Sequence, residues 1–76
     1  MSTITRESVA ASVRAAVEDA GLSQGELARR TGIARATLNR RLAGRGRPFL
    51  ISELFVISQC VGVGILELVT GGTATA

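Results

Sequence analysis

Two glycines, Gly32 and Gly44, each closing a short apolar pattern, constrain this chain more than anything else in it. Ahead of the first, Ser23-x-x-Glu26 has the form of a capping box. In that arrangement the Ser hydroxyl accepts the N–H of Glu26, and Glu26 reaches back to the N–H of Ser23. Leu22 and Leu27 flank the cap where a hydrophobic staple would lie. Gly32 can take the left-handed conformation that ends a helix. Ile33, Leu38 and Leu42 then form a second apolar set, and Gly44 offers the second stop. The stretch 21–44 thus predicts helices at about 24–31 and 35–42 around a sharp turn. Two short helices joined by a glycine-containing turn have the geometry that sets the second helix into a DNA groove.

The order of residues is Leu22-Ser23-Gln24-x-x-Leu27-Ala28-x-x-x-Gly32-Ile33, then Thr37-Leu38-x-Arg40 and a Gly-containing loop. It resembles the helix-turn-helix domains of the lambda-repressor and Cro-like family. Leu54-x-x-Ile57 and Gly62-Val63 also fit, so the resemblance covers roughly residues 6 to 71. It implies an all-α, five-helix lambda-repressor-like domain whose partner is double-stranded DNA. For Gln24, at the start of the first motif helix, it implies a phosphate contact backed by the helix dipole. Ala34 departs from the pattern, standing where the family usually has a Ser, Thr or Asn cap for the recognition helix. Losing such a cap costs about 0.5–2 kcal/mol. The first turn of that helix is therefore expected to be loosely held until DNA orders it.

Charge points the same way. The net charge is only +3, but its distribution is uneven. Residues 1–22 carry Arg6 and Arg14 against Glu7, Glu18 and Asp19, a net −1. Residues 23–48 carry Arg29, Arg30, Arg35, Arg40, Arg41, Arg45 and Arg47 against Glu26 alone, a net +6. Residues 49–76 carry only Glu53 and Glu67, a net −2. A charged stretch is ordinarily a solvated face, but here it coincides with the segment whose geometry already fits DNA.

With Leu38 and Leu42 facing the core, a step of about 100° per residue places Arg40, Ala36 and Thr37 on the opposite side. Arg35 projects from the N-terminus, and Asn39 and Arg41 lie on the flanks. Arg35, Ala36, Thr37 and Arg40 are thus the expected base readers. Arg bonds guanine at O6 and N7, and Ala or the Thr methyl packs on thymine methyls. Gln24, Asn39, Arg41, Arg45 and Arg47 are the expected backbone contacts. The last two sit in the flexible loop Gly44-Arg45-Gly46-Arg47-Pro48, which suits phosphates or a minor-groove edge.

Elsewhere, Thr5 can cap a first helix at about 6–20, with Val9, Val13, Ala16, Val17 and Ala20 on one stripe. Gly21 ends it. Glu18 and Asp19 have the wrong sign for that end of the dipole, so either Arg29 or Arg30 compensates them or water does. Beyond Pro48 the chain turns apolar. Ser52 is the expected cap of a helix at about 53–61 with Leu54, Ile57 and Val61 inward, and Gly64 precedes a short helix at 65–69. Residues 1–4 read as an arm, 1–70 as one DNA-binding domain, and 71–76 as a small polar tail expected to be disordered.

Leu54, Phe55, Val56, Ile57, Val61, Val63, Ile65, Leu66, Leu68 and Val69 exceed what helices packed on one side can bury. Leftover apolar surface marks an interface, unless the first helix and the tail cover it. The expectation is a homodimer around Ile65, Leu66 and Val69, with Phe55 nearby.

Enzyme readings fail on inventory, for there is no His, Tyr, Trp or Lys and the acids are scattered singly. Cys60 has no base partner and reads as a small buried hydrophobe. No metal, other cofactor or small-molecule ligand is expected. The N-terminus lacks the parts of a signal peptide, and no apolar run approaches about 18 residues. A cytoplasmic place in a bacterial or phage-infected cell, away from membranes, is expected. The reading is a sequence-specific transcription regulator of the Cro or repressor type, as in temperate bacteriophages, occupying a near-palindromic operator as a dimer. The alternative is an antitoxin or a restriction-modification controller protein whose DNA binding is autoregulatory.

Overall fold

Thr5 opens the first of five helices in the computed structural model, which describes residues 5–70. They are α1 (Arg6–Asp19), α2 (Gln24–Thr31), α3 (Arg35–Leu42), α4 (Ile51–Val61) and α5 (Ile65–Thr70). No strand occurs among the described residues. The arm at 1–4 and the tail at 71–76 lie outside them.

A reciprocal cap holds the start of α1. Ser8 N–H donates to Thr5 Oγ1 at 3.0 Å, and Thr5 N–H donates to Ser8 Oγ at 2.8 Å. Ala10, Val13 and Val17 are its buried residues, with Val9 and Ala16 half-buried beside them. Ala20, expected on the same stripe, is exposed. The helix stops at Asp19, and Gly21 at φ +73° turns the chain away before Ala20 can face the core.

The helix-turn-helix follows. Ser23 Oγ accepts the N–H of Glu26 at 3.1 Å. Gly32, at φ +77°, ends α2 and returns its N–H to the carbonyl of Ala28. Thr31 steadies the turn, for its hydroxyl donates to the carbonyl of Leu27 at 2.8 Å and accepts the N–H of Ile33 at 3.3 Å. At Ala34 no side chain caps α3, yet the helix is regular from Arg35 and Leu38 N–H reaches the Ala34 carbonyl at 2.9 Å.

One core joins the five helices: Val13, Val17, Leu27, Leu38, Leu42, Leu54, Ile57 and Leu68. α1 packs on α3 and α5, α2 on α3 and α4, and α4 on α5. Each such side chain contributes about 1.5–3 kcal/mol when buried, so the recognition helix is fastened chiefly through Leu38 and Leu42.

α4 begins at Ile51, earlier than expected, and Ser52 is an exposed first-turn residue rather than the cap. Leu50 holds the cap position, and its N–H donates to the Glu53 carboxylate at 2.9 Å. An acid three residues into a helix satisfies an orphan N–H as a Ser hydroxyl would.

The uncapped start of α3 makes a prediction. Ala34 already has φ −57° and ψ 138°, a backbone compatible with a capping residue. Ala34→Ser should stabilise the fold by about 0.5–2 kcal/mol. The thermal midpoint should then rise by several degrees, at about 4–8 °C per kcal/mol for a chain this small. An unchanged midpoint in calorimetry would show that the missing cap costs nothing.

Candidate nucleic-acid interface

Leu38 and Leu42 are almost fully buried, and their burial sets which side of α3 faces water. Arg35, Ala36, Asn39 and Arg40 are exposed on that helix, and Thr37 is half-buried. The loop after α3 bends back at once. Arg45 N–H reaches the Arg40 carbonyl at 3.0 Å, and Gly44 and Gly46 take φ +75° and +69°. Thr37, Arg40, Arg41, Arg45, Gly46 and Arg47 line an open cleft of about 280 Å³.

Two arginines of α3 extend this surface in both directions. The Arg35 guanidinium lies 3.4 Å from the point a Cβ on Gly25 would occupy, over the first turn of α2 where Gln24 begins the helix. The Arg40 guanidinium lies 3.7 Å from the corresponding point on Gly46. The structure thus brings Gln24, Arg35, Arg40, Arg45 and Arg47 onto the surface formed by the start of α2, the outer side of α3 and the loop.

The first helix helps to build it, which the sequence reading missed. Arg6 donates to the Gly46 carbonyl at 2.5 Å, and Arg14 donates to the carbonyl of Leu42 at the end of α3. In the sequence both arginines enter only the charge balance of residues 1–22. Nothing in the one-dimensional pattern sets a residue of α1 beside one that is 40 positions away.

Not every cation of the basic stretch is free. Arg29 and Arg30 both hold the Glu26 carboxylate, at 2.5 and 3.0 Å. Two expectations are corrected by this. Glu26 does not reach back to Ser23, so the cap is one-sided, and Arg29 and Arg30 do not compensate Glu18 and Asp19. The physical reason is spacing, since residues three and four apart on a helix are neighbours. Arg41, expected to touch the DNA backbone, instead pairs with Glu53, and these side chains are only 14% and 15% exposed. Among the described residues no ion pair engages Arg35, Arg40, Arg45 or Arg47.

A family model described as helix-turn-helix matches residues 13–68. The chain belongs to the lambda-repressor/Cro-like helix-turn-helix family. It is a DNA-binding helix-turn-helix regulator, of a family that is generally non-enzymatic. Comparison with curated proteins and with solved structures returned no match. No helix among the described residues is long and apolar enough to cross a membrane.

The apolar C-terminal residues divide. Phe55 and Leu66 are 53% and 67% exposed. Ile65 and Val69, expected beside them in a dimer interface, are half-buried and pack partly against the core. Leu68 points straight in, and at about 100° per residue Ile65 and Val69 fall within about 100° of it while Leu66 falls about 160° away. Leu50 and Ile51, absent from the sequence-based set, are 54% and 73% exposed. Cys60 is half-buried against the core.

Glu26 carries a pH consequence. The hydrogen bonds from Arg29 and then Arg30 hold its carboxyl below the ordinary value of 4.5. A pKa depressed in the folded state contributes stability above the unfolded pKa, and that contribution is lost as pH falls through the folded pKa. The group is exposed, so the effect is small. Glu26→Gln should lose less stability than the parent on acidification below about pH 4.5, measured by thermal melts. Identical acid limbs would remove Glu26 from the balance.

Proposed function

We propose that the chain is a transcription regulator of the Cro or repressor type that occupies a near-palindromic operator as a dimer. The recognition helix α3 lies in the major groove, where Arg35, Ala36, Thr37 and Arg40 read base edges. Gln24, Asn39, Arg45 and Arg47 contact phosphates. Arg41, held by Glu53, is not among these contacts. The observation that carries the reading is that, of the five arginines without an ion pair among the described residues, four lie on α3 and the loop beside it, while the fifth, Arg14, is held by the Leu42 carbonyl. Such an arrangement supplies both a reading edge and a counterion-releasing edge. The partner is double-stranded DNA in the cytoplasm, with no cofactor or small ligand in the mechanism.

Dimerisation is supported by the exposed apolar residues Phe55 and Leu66, with Ile65 and Val69 flanking Leu66. One short helix reads few base pairs, whereas a two-fold pair reads half-sites about 34–36 Å apart.

Selection of duplexes from a random library, followed by binding measured across salt, tests the DNA reading. Arg40→Ala should weaken binding to the selected duplex by about 1–3 kcal/mol and change random DNA little. Arg45→Ala/Arg47→Ala should weaken both alike and flatten the log–log salt slope by about 0.9 per lost phosphate contact. A parent that enriches no sequence loses the base-reading role, and an unmoved slope removes the loop from the interface.

The dimer has its own test. Leu66→Glu should shift sedimentation from dimer to monomer and abolish the advantage of a full site over a half-site. A parent that sediments as a monomer at high concentration and binds full sites without cooperativity would end the dimer proposal.

A further inference from the structure

Between α3 and α4 the chain runs from Ala43 to Leu50 and carries two of the unpaired arginines, Arg45 and Arg47. Its ends are joined by a single carboxylate. Glu53, in the first turn of α4, takes Arg41 from the last turn of α3 on its Oε1, and the same Oε1 accepts the N–H of Leu50 at 2.9 Å. One oxygen thus caps α4 and grips the recognition helix. The pair is mostly shielded from water. At such a site, losing one partner leaves the other charge poorly solvated. The loop is tied a second time where Arg6 donates to the Gly46 carbonyl.

We infer that Arg41 and Glu53 are positioning residues for DNA binding: their pair is a clasp at the base of the basic loop that holds Arg45 and Arg47 in register with the reading side of α3. The inference rests on the DNA-binding reading and deepens it, because it removes Arg41 from the phosphate contacts. It also gives Glu53 a purpose beyond capping. An acid beside a surface meant for DNA lowers the local positive potential, so a carboxylate there has to be justified by what it holds. Three cations of the cleft remain free to meet phosphate and bases, and the fourth, Arg41, is occupied by Glu53.

The alternatives differ in sign, which makes Glu53→Gln the decisive variant. Gln keeps an oxygen for the Leu50 N–H, as Gln does in capping boxes, so α4 stays capped while the charge that holds Arg41 is gone. If Arg41 is a phosphate contact restrained by Glu53, removing the acid frees it, and affinity for duplex rises with a steeper salt slope. If the pair is a clasp, the same change loosens the loop and affinity falls. The probe is the duplex selected with the parent protein, with affinities corrected for the active fraction by stoichiometric titration.

The expected result is that Glu53→Gln and Arg41→Ala each weaken binding several-fold, and that the double variant lies within about twofold of the weaker single, since coupled partners are not additive. The salt slope of Arg41→Ala should stay within error of the parent, whereas loss of a phosphate contact would flatten it by about 0.9. Tighter binding by Glu53→Gln overturns the clasp, and so does a flattened slope in Arg41→Ala. Lower melting temperatures with unchanged affinity per active molecule also overturn it, leaving a pair that serves stability only. Should Arg41→Ala not fold, Glu53→Gln still decides by its sign. A parent that binds no duplex fails the DNA reading instead, so the two failures are distinguishable.

Discussion

The burial of Leu38 and Leu42 is the interaction on which the rest depends. An isolated helix as short as α3 does not hold its shape in water, and this one begins at Ala34 with no side-chain cap. What keeps it helical is packing against α1 and α2, with Leu38 fully buried and Leu42 nearly so. That packing also orients it. Once two leucines a turn apart face the core, the arginines at 35 and 40 have only water, or a ligand, to face. Stability and presentation are therefore the same physical event, and a substitution at either leucine would strike both.

Electrostatics then refines what burial sets out. The basic stretch is +6 by residue count, yet its cations divide into two populations. Arg29, Arg30 and Arg41 are held by acids, and Arg35, Arg40, Arg45 and Arg47 are not. The held ones act inside the protein, two on the surface of α2 and one between α3 and α4. The free ones cluster around α3 and its following loop, where a positive edge attracts phosphate at a distance and a guanidinium can select guanine at contact. Exposed pairs such as Arg29–Glu26 add little to stability. The shielded Arg41–Glu53 pair matters more, because its partners cannot fall back on water.

The C-terminal helices show how a small domain handles more apolar residues than it can bury. Leu54, Ile57 and Leu68 complete the core, Ile65 and Val69 lean on it, and Phe55 and Leu66 remain outside. A chain of this size buries only about 60% of its unfolded surface. An outward Leu and Phe on such a protein are therefore surface that a second molecule can bury with gain.

Much was legible without coordinates because it is local. Gly32 had to be a stop, Ser23 had to be a cap, and Leu38 and Leu42 had to face inward, since each follows from residues within a turn or two. The resemblance of the same stretch to a known family rested on those local requirements. Where the sequence reading went astray, two chemically sensible partners competed and only space could choose between them. Glu26 could have closed its box at Ser23 but was taken by Arg29 and Arg30. Ser52 was the better capping residue by type, yet Leu50 occupied the cap because Glu53, pinned by Arg41, supplied the acceptor. Arg6 and Arg14 had no role in the sequence beyond their charge, and gained one when the fold laid α1 alongside the loop and the end of α3. Helix stops, caps and periodicity are short-range properties, and the order of residues determined them. Pairing between charges is long-range, and it was decided only when packing had brought the side chains within reach.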